Sequence, residues 1–151
     1  MDKGIYCLVF ENHECTVWVG ALEAVAFQAG WNIYVGSALG SGGLKRLDRH
    51  ISLAQLRNKK PKWHVDYLLT SRCFSLVYAV FAVTADRLEC RLARKLNDCG
   101  IPKFGCSDCS CTSHLLYRQG NPKQEVLAAF RELQLDPVMK TIINPQVKDN
   151  I

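Results

Sequence analysis

Residues 4–35 alternate short apolar runs with polar breaks, a rhythm too brief for helices and suited to a sheet of short strands. Residues 4–10 and 15–19 flank Glu11-Asn12-His13-Glu14, a connection of hairpin length, and residues 24–28 and 31–35 flank a turn at Ala29-Gly30. A meander of short antiparallel strands is predicted. Gly40-Ser41-Gly42-Gly43 then breaks the pattern, and residues 44–57 follow with a helical period. Leu44, Leu47, Ile51 and Ala54 share one side of that helix, and Arg46, Arg49, His50 and Arg57 share the other. The apolar side should lie on the sheet, leaving the basic side to face a ligand.

Residues 64–69 and 74–83 read as further strands, the second a long β-branched and aromatic run. A second helix is predicted over residues 85–97, with Thr84 as N-cap and Gly100 beyond its end. A third opens at Asn121-Pro122, as N-cap and first helical residue, and should bury Val126, Leu127, Phe130 and Leu133. The fold class is therefore α+β, a small antiparallel or mixed sheet flanked by helices. Residues 1–135 read as one domain, and residues 136–151, with two prolines and no period, as a C-terminal tail that frays or lies along the surface.

Apolar residues make up 48% of the chain and charged residues 22%, a balance that excludes wholesale disorder. No uninterrupted apolar run approaches the roughly 20 residues needed to span a bilayer, and the N-terminus carries no leader pattern, so no membrane association is expected. Eight cysteines without a secretion signal point to a reducing compartment, and the protein is read as cytoplasmic. The formal charge is +5, but Lys45, Arg46, Arg49, Arg57, Lys59, Lys60 and Lys62 crowd into residues 43–62 with Asp48 as the sole acid. Such an excess suits a polyanion, although a merely solvated face would look the same.

Cutting a phosphodiester requires a group to orient or deprotonate water, a cation to neutralise the five-coordinate phosphorus, and help for the leaving oxygen. Arginine suits the second task because its fork of donors matches phosphate oxygens and stays charged. A metal held by a carboxylate shares that charge. Arg46 and His50 are four residues apart and should project toward one ligand. Tyr6 and Tyr34 lie on strands that could be neighbours, and either phenol would need assistance to take a proton from water at neutral pH. Glu89 falls inside the apolar stripe formed by Ala85, Leu88, Leu92, Ala93 and Leu96. A carboxylate there is costly unless paired or metal-bound, which marks it as a site residue or as one end of a bracing salt bridge to Arg46 or Lys45.

Gly4-Ile5-Tyr6, then Tyr34-Val35-Gly36-Ser37-Ala38, then Lys45-Arg46-Leu47-Asp48-Arg49-His50, then Glu89 on a later helix, resembles the GIY-YIG nuclease superfamily in order and residue type. Trp63-His64-Val65-Asp66-Tyr67 and the run from Phe104 to His114 resemble a GIY-YIG-like branch found mostly in archaea and bacteria and sometimes fused to endonuclease III. The resemblance implies a three-stranded antiparallel core flanked by helices and a DNA cut dependent on a single Mg2+ or Mn2+. It further implies Tyr6 as water-activating phenol, Tyr34 as its hydrogen-bonding partner, Arg46 as phosphate clamp, His50 as proton relay and Glu89 as metal ligand.

On the strand predicted for residues 64–69, His64 and Asp66 share one face, where they could serve the site as accessory groups or simply brace each other. Trp63 and Tyr67 would take the opposite face as core residues. Cys106, Cys109, Cys111 and His114 supply donors suited to structural zinc, but also to redox-active thiols or plain packing. Cys7, Cys15 and Cys73 read as buried small hydrophobes. The leading expectation is a Mg2+- or Mn2+-dependent DNA endonuclease in repair or in processing of structured DNA, with a DNA-repair protein as a further partner. Lys45, Arg49, Arg57, Lys59, Lys60 and Lys62 would position the DNA backbone. The alternatives are a non-cutting nucleic-acid-binding or partner-recruiting module of the same fold, and a thiol or metal sensor built on the cysteine-rich loop.

Overall fold

Gly4–Asn12 forms β1, and almost every residue of it is buried. A strand buried on both faces reads as continuous apolar sequence, as this one does. Ile5, Cys7 and Val9 enter one core, while Tyr6, Leu8 and Phe10 enter another. The chain is described from a computed structural model that covers residues 2–57, 59–96 and 113–142. In order, the elements after β1 are β2 (Cys15–Trp18), β3 (Ala24–Phe27), β4 (Gly30–Ala38), α1 (Lys45–Leu56), α2 (His64–Leu69), β5 (Phe74–Val83), α3 (Glu89–Leu96), β6 (Leu115–Arg118), α4 (Lys123–Glu132) and β7 (Val138–Thr141).

The fold is α+β. Among the described residues, a five-stranded antiparallel sheet of order β6-β4-β1-β5-β7 is accompanied by a separate hairpin, β2-β3. The predicted meander is thus corrected: β1 pairs with β4 and β5 rather than with β2. Length decides this, because the nine residues of β1 need long partners on both edges to satisfy their backbone groups. β4 and β5 supply nine and ten residues, whereas β2 and β3 have four each.

Residues 64–69, expected as a strand, are the helix α2. Asp66 explains the difference, since its Oδ2 accepts the backbone N–H of Lys62 at 2.8 Å and of Trp63 at 3.0 Å, closing the first turn. Val65, Leu68 and Leu69 then fall on the buried side. His64 and Asp66 consequently share no strand face. α3 starts at Glu89, later than expected, because the Thr84 hydroxyl accepts the Asp86 N–H at 3.1 Å and makes a local turn instead of capping a helix. At α4 the Asn121 side-chain oxygen accepts the Lys123 N–H at 3.2 Å, and Val126, Ala129 and Phe130 are buried, with Leu127 and Leu133 only partly so.

α1 and α2 cover the face that carries Tyr6, through Leu44, Leu47, Ile51, Val65, Leu68 and Leu69. α3 and α4 cover the other, through Leu92, Ala93, Leu96, Val126 and Phe130. Part of the segment read as a tail adds an exposed edge strand, β7, tied to α1 by Lys140 and Asp48 at 3.7 Å. No helix among the described residues is long and apolar enough to cross a membrane.

Candidate functional site

The register of β1 against β4 places Tyr6 opposite Gly36 and Leu8 opposite Tyr34, so the two tyrosines are diagonal neighbours on one face. The two glycines are sterically required. A Cβ on Gly36 would stand 2.6 Å from the Tyr6 ring, and one on Gly4 would stand 2.4 Å from the Ala82 carbonyl oxygen. Gly4 lets β5 close on β1, and Gly36 lets the Tyr6 ring lie across β4.

Above this corner is a pocket of about 350 Å³. Tyr6 and Tyr34 line it from the sheet, Arg46 and His50 from α1, and Glu89 from the first turn of α3, so the structure brings these five residues to one cavity. Arg46 is exposed, and its guanidinium donates to the Ser37 carbonyl at 2.9 Å, which fixes its reach over β4. The Trp63 ring lies against Arg46 and Arg49, with guanidinium carbons 5.2 Å and 4.7 Å from its centroid.

His50, expected on the ligand-facing side of α1, is instead buried. Its Nε2 lies 2.8 Å from the Tyr6 hydroxyl and its Nδ1 lies 3.9 Å from Asp66 Oδ1. The carboxylate favours the tautomer with its proton on Nδ1, leaving Nε2 to accept from the phenol. Burial holds the His50 pKa down to about 4; Arg49 and Arg46 press the same way, and Asp66 opposes them. Burial likewise pushes the Tyr6 phenol well above its ordinary value; Tyr34 and Glu89 add to this, while Arg46 and Arg49 oppose it. Both groups are neutral at physiological pH, joined by one hydrogen bond.

Glu89 stands at the N-terminal end of the apolar stripe rather than inside it, because α3 begins with it: Leu92, Ala93 and Leu96 follow on the same side, while Ala85 and Leu88 precede the helix. It is half-buried on the pocket wall, and among the described residues none of the ion pairs engages it, so the bracing bridge to Arg46 or Lys45 is not formed. A lone carboxylate facing a polar cavity fits a hard cation such as Mg2+, which keeps several of its own waters. Among the described residues no group of three or more His, Cys, Asp or Glu side chains could hold a metal ion.

The other expected residues divide. Arg49, Lys59, Lys60 and Lys62 line a second cavity of about 190 Å³ beside the first, together with Trp63 and Asp66. His64 lines the first pocket, with its pKa lowered by burial. Lys45 is exposed and lines neither cavity. Arg57 does not join the basic face. It takes a left-handed conformation (φ 50°) at the end of α1 and lines a small apolar recess with Phe10, Leu68 and Phe74. His114 is buried on the wall of the first pocket, its Nε2 3.6 Å from Cys90 Sγ. Cys106, Cys109 and Cys111 lie outside the described residues, and the zinc and thiol readings with them. Cys7 is buried, and Cys15 and Cys73 are half-buried.

Trp63 and Lys62, which line both cavities, were within reach of the sequence only in part. Lys62 stood out by its charge. Trp63, expected in the core, is 39% exposed, because reading residues 64–69 as a strand turned it to the wrong side. Tyr67 is half-buried against the core, as its type suggests.

No curated protein and no solved structure matches the chain. A family model described as a domain of unknown function, DUF123, matches residues 5–135, a span containing both cavities, β1 from its second residue, and every later element through α4. The chain belongs to the DUF123 family.

Proposed function

We propose that the first pocket hydrolyses a phosphodiester of DNA with Mg2+ or Mn2+ held at Glu89. One observation carries the reading: the Tyr6 hydroxyl is hydrogen-bonded to buried His50, with the Asp66 carboxylate 3.9 Å behind the ring, at a cavity whose rim holds an exposed arginine and whose wall holds a carboxylate. The order of the same residues in the chain, similar to that of GIY-YIG nucleases, agrees with it.

In this reading Arg46 receives the scissile phosphate, and Tyr34 offers its hydroxyl at the same wall. A water poised at Tyr6 gives its proton to the phenolic oxygen as the phenol passes its own proton to His50 Nε2. The resulting hydroxide attacks phosphorus, and the ester oxygen on the far side departs with the bonding pair. Asp66 steadies the imidazolium formed. In the free protein His50 is a weak base, held so by burial and by Arg49 and Arg46. A bound phosphate offsets the two arginines and so raises the basicity of His50 when substrate is present. The cation at Glu89 would supply charge neutralisation for the phosphoryl oxygens and the leaving oxygen.

A DNA repair or processing role, a repair-protein partner and a cytoplasmic setting belong to the same proposal. The basic run supports a nucleic-acid ligand and the eight cysteines a reducing compartment. A second reading, a module that binds nucleic acid without cutting, is favoured by the basic second cavity, which extends beyond the chemical groups. Incubation of the full chain with plain, nicked, looped and branched DNA, with Mg2+, Mn2+ or EDTA, separates the two. The nuclease reading requires metal-dependent scission lost in Arg46→Ala. Salt-sensitive binding with no scission would leave the binding module.

A further inference from the structure

The second cavity is built from cations that no acidic side chain among the described residues neutralises. Arg49, Lys59, Lys60 and Lys62 line it, and among the described residues no ion pair engages any of them. The acid in its wall, Asp66, is buried and already committed, with Oδ2 bonded to two backbone N–H groups and Oδ1 facing His50. An uncompensated basic hollow of about 190 Å³ calls for an anion.

Its position says which anion. The two cavities share Lys62, Trp63 and His50 as a common wall. Arg46 and Arg49, three apart on α1, both lie against the Trp63 ring, yet Arg46 lines the first cavity and Arg49 the second. Trp63 therefore steadies one arginine on each side before any ligand arrives, which lowers the entropy lost on binding. The bonds from Lys62 N–H and Trp63 N–H to Asp66 fix the backbone of that wall.

We infer that the second cavity seats the backbone phosphate next to the one that is cut, so that the protein takes a continuous strand with one phosphate on each side of Trp63. The inference deepens the nuclease reading and rests on its assignment of the first pocket to a phosphodiester. Two adjacent anionic seats favour an internal linkage over a terminal one.

The test is fluorescence anisotropy of the full chain with labelled single-stranded and flapped DNA in EDTA, where no cutting intervenes. Wild type is compared with Arg49→Ala, with Lys59→Ala/Lys60→Ala, and with Arg131→Ala, which removes an exposed charge from α4. Melting followed by circular dichroism checks that each variant is folded. Arg49→Ala should weaken binding about 10-fold at low salt and lower the slope of log K against log salt by about 1, with a comparable or larger drop for the lysine pair and none for Arg131→Ala. Slopes for Arg49→Ala and the lysine pair that match Arg131→Ala would overturn the second seat. A second arm uses DNA with one neutral methylphosphonate beside the mapped cut. This should raise KM about 10-fold in wild type and add little in Arg49→Ala, whereas equal losses in both proteins would refute the seat. A protein that shows the slope changes but never cuts refutes the nuclease reading and leaves the seat. A protein that cuts with unchanged slopes does the reverse.

Discussion

Nδ1 of His50 stands 3.9 Å from Asp66 Oδ1, while the other ring nitrogen meets the Tyr6 hydroxyl at 2.8 Å. Asp66 does not line the first pocket and meets its side chains only through His50, so toward the proposed chemistry it acts as a positioning residue. Asp66→Asn keeps an oxygen for the Lys62 and Trp63 N–H groups and removes the charge that favours a protonated imidazole. Cleavage should fall about 10- to 100-fold with KM nearly unchanged, and the acidic limb of the kcat profile, set by His50 as proton acceptor, should move to lower pH because the charge that raises its pKa is gone. A parallel loss of DNA affinity would show that Asp66 merely holds the helix.

On the proposed reading Glu89→Gln should abolish metal-dependent cutting while leaving binding in EDTA intact, since it removes the carboxylate charge proposed to hold the metal and breaks no ion pair among the described residues. Mn2+ titrated by calorimetry should lose its heat in this variant. Arg46→Lys should recover little of the roughly 100- to 1000-fold loss expected of Arg46→Ala, because a point charge does not reproduce the fork.

Gly36→Ala places a methyl where the Tyr6 ring already lies, at 2.6 Å. The ring or the strand must give way, costing about 1–3 kcal/mol of stability. Gly40→Ala, with open space around its Cβ position, should cost far less. Urea unfolding of the pair measures the difference, and cleavage by Gly36→Ala should fall beyond what the stability loss explains.

His50 is held down to about 4 in the folded protein, against about 6.5 for an ordinary imidazole. The unfolded chain binds that proton first. Stability is therefore complete above about pH 6.5 and is lost as pH falls toward 4, by roughly 3 kcal/mol if His50 acts alone. Chemical unfolding from pH 7 to pH 4 should show this slope, and His50→Gln should flatten it.

What could be read in the sequence and what could not separate along physical lines. Side-chain type and order marked Tyr6, Tyr34, Arg46, His50 and Glu89, which meet at one pocket, because polar groups between apolar runs stand out without knowledge of pairing. Strand partners did not stand out, since β1 reaches past β2 and β3 to find strands of its own length. α2 was hidden because six residues give helix and strand periods little room to differ, and the Asp66 bonds that decide the matter come from its own backbone neighbours. Arg57 carried the same charge as Arg49, and only the left-handed end of α1 turned it away.

Glu89 reaches the pocket from α3, whose apolar side is packed on the face of the sheet opposite α1 and α2. The carboxylate and the Tyr6–His50–Asp66 line thus arrive from two separately packed layers. A local opening of α3 would strip the site of its carboxylate while β1, α1 and α2 stay folded. Under the proposed function, such an opening would end cutting and spare the basic surface, a state that holds a strand and leaves it whole.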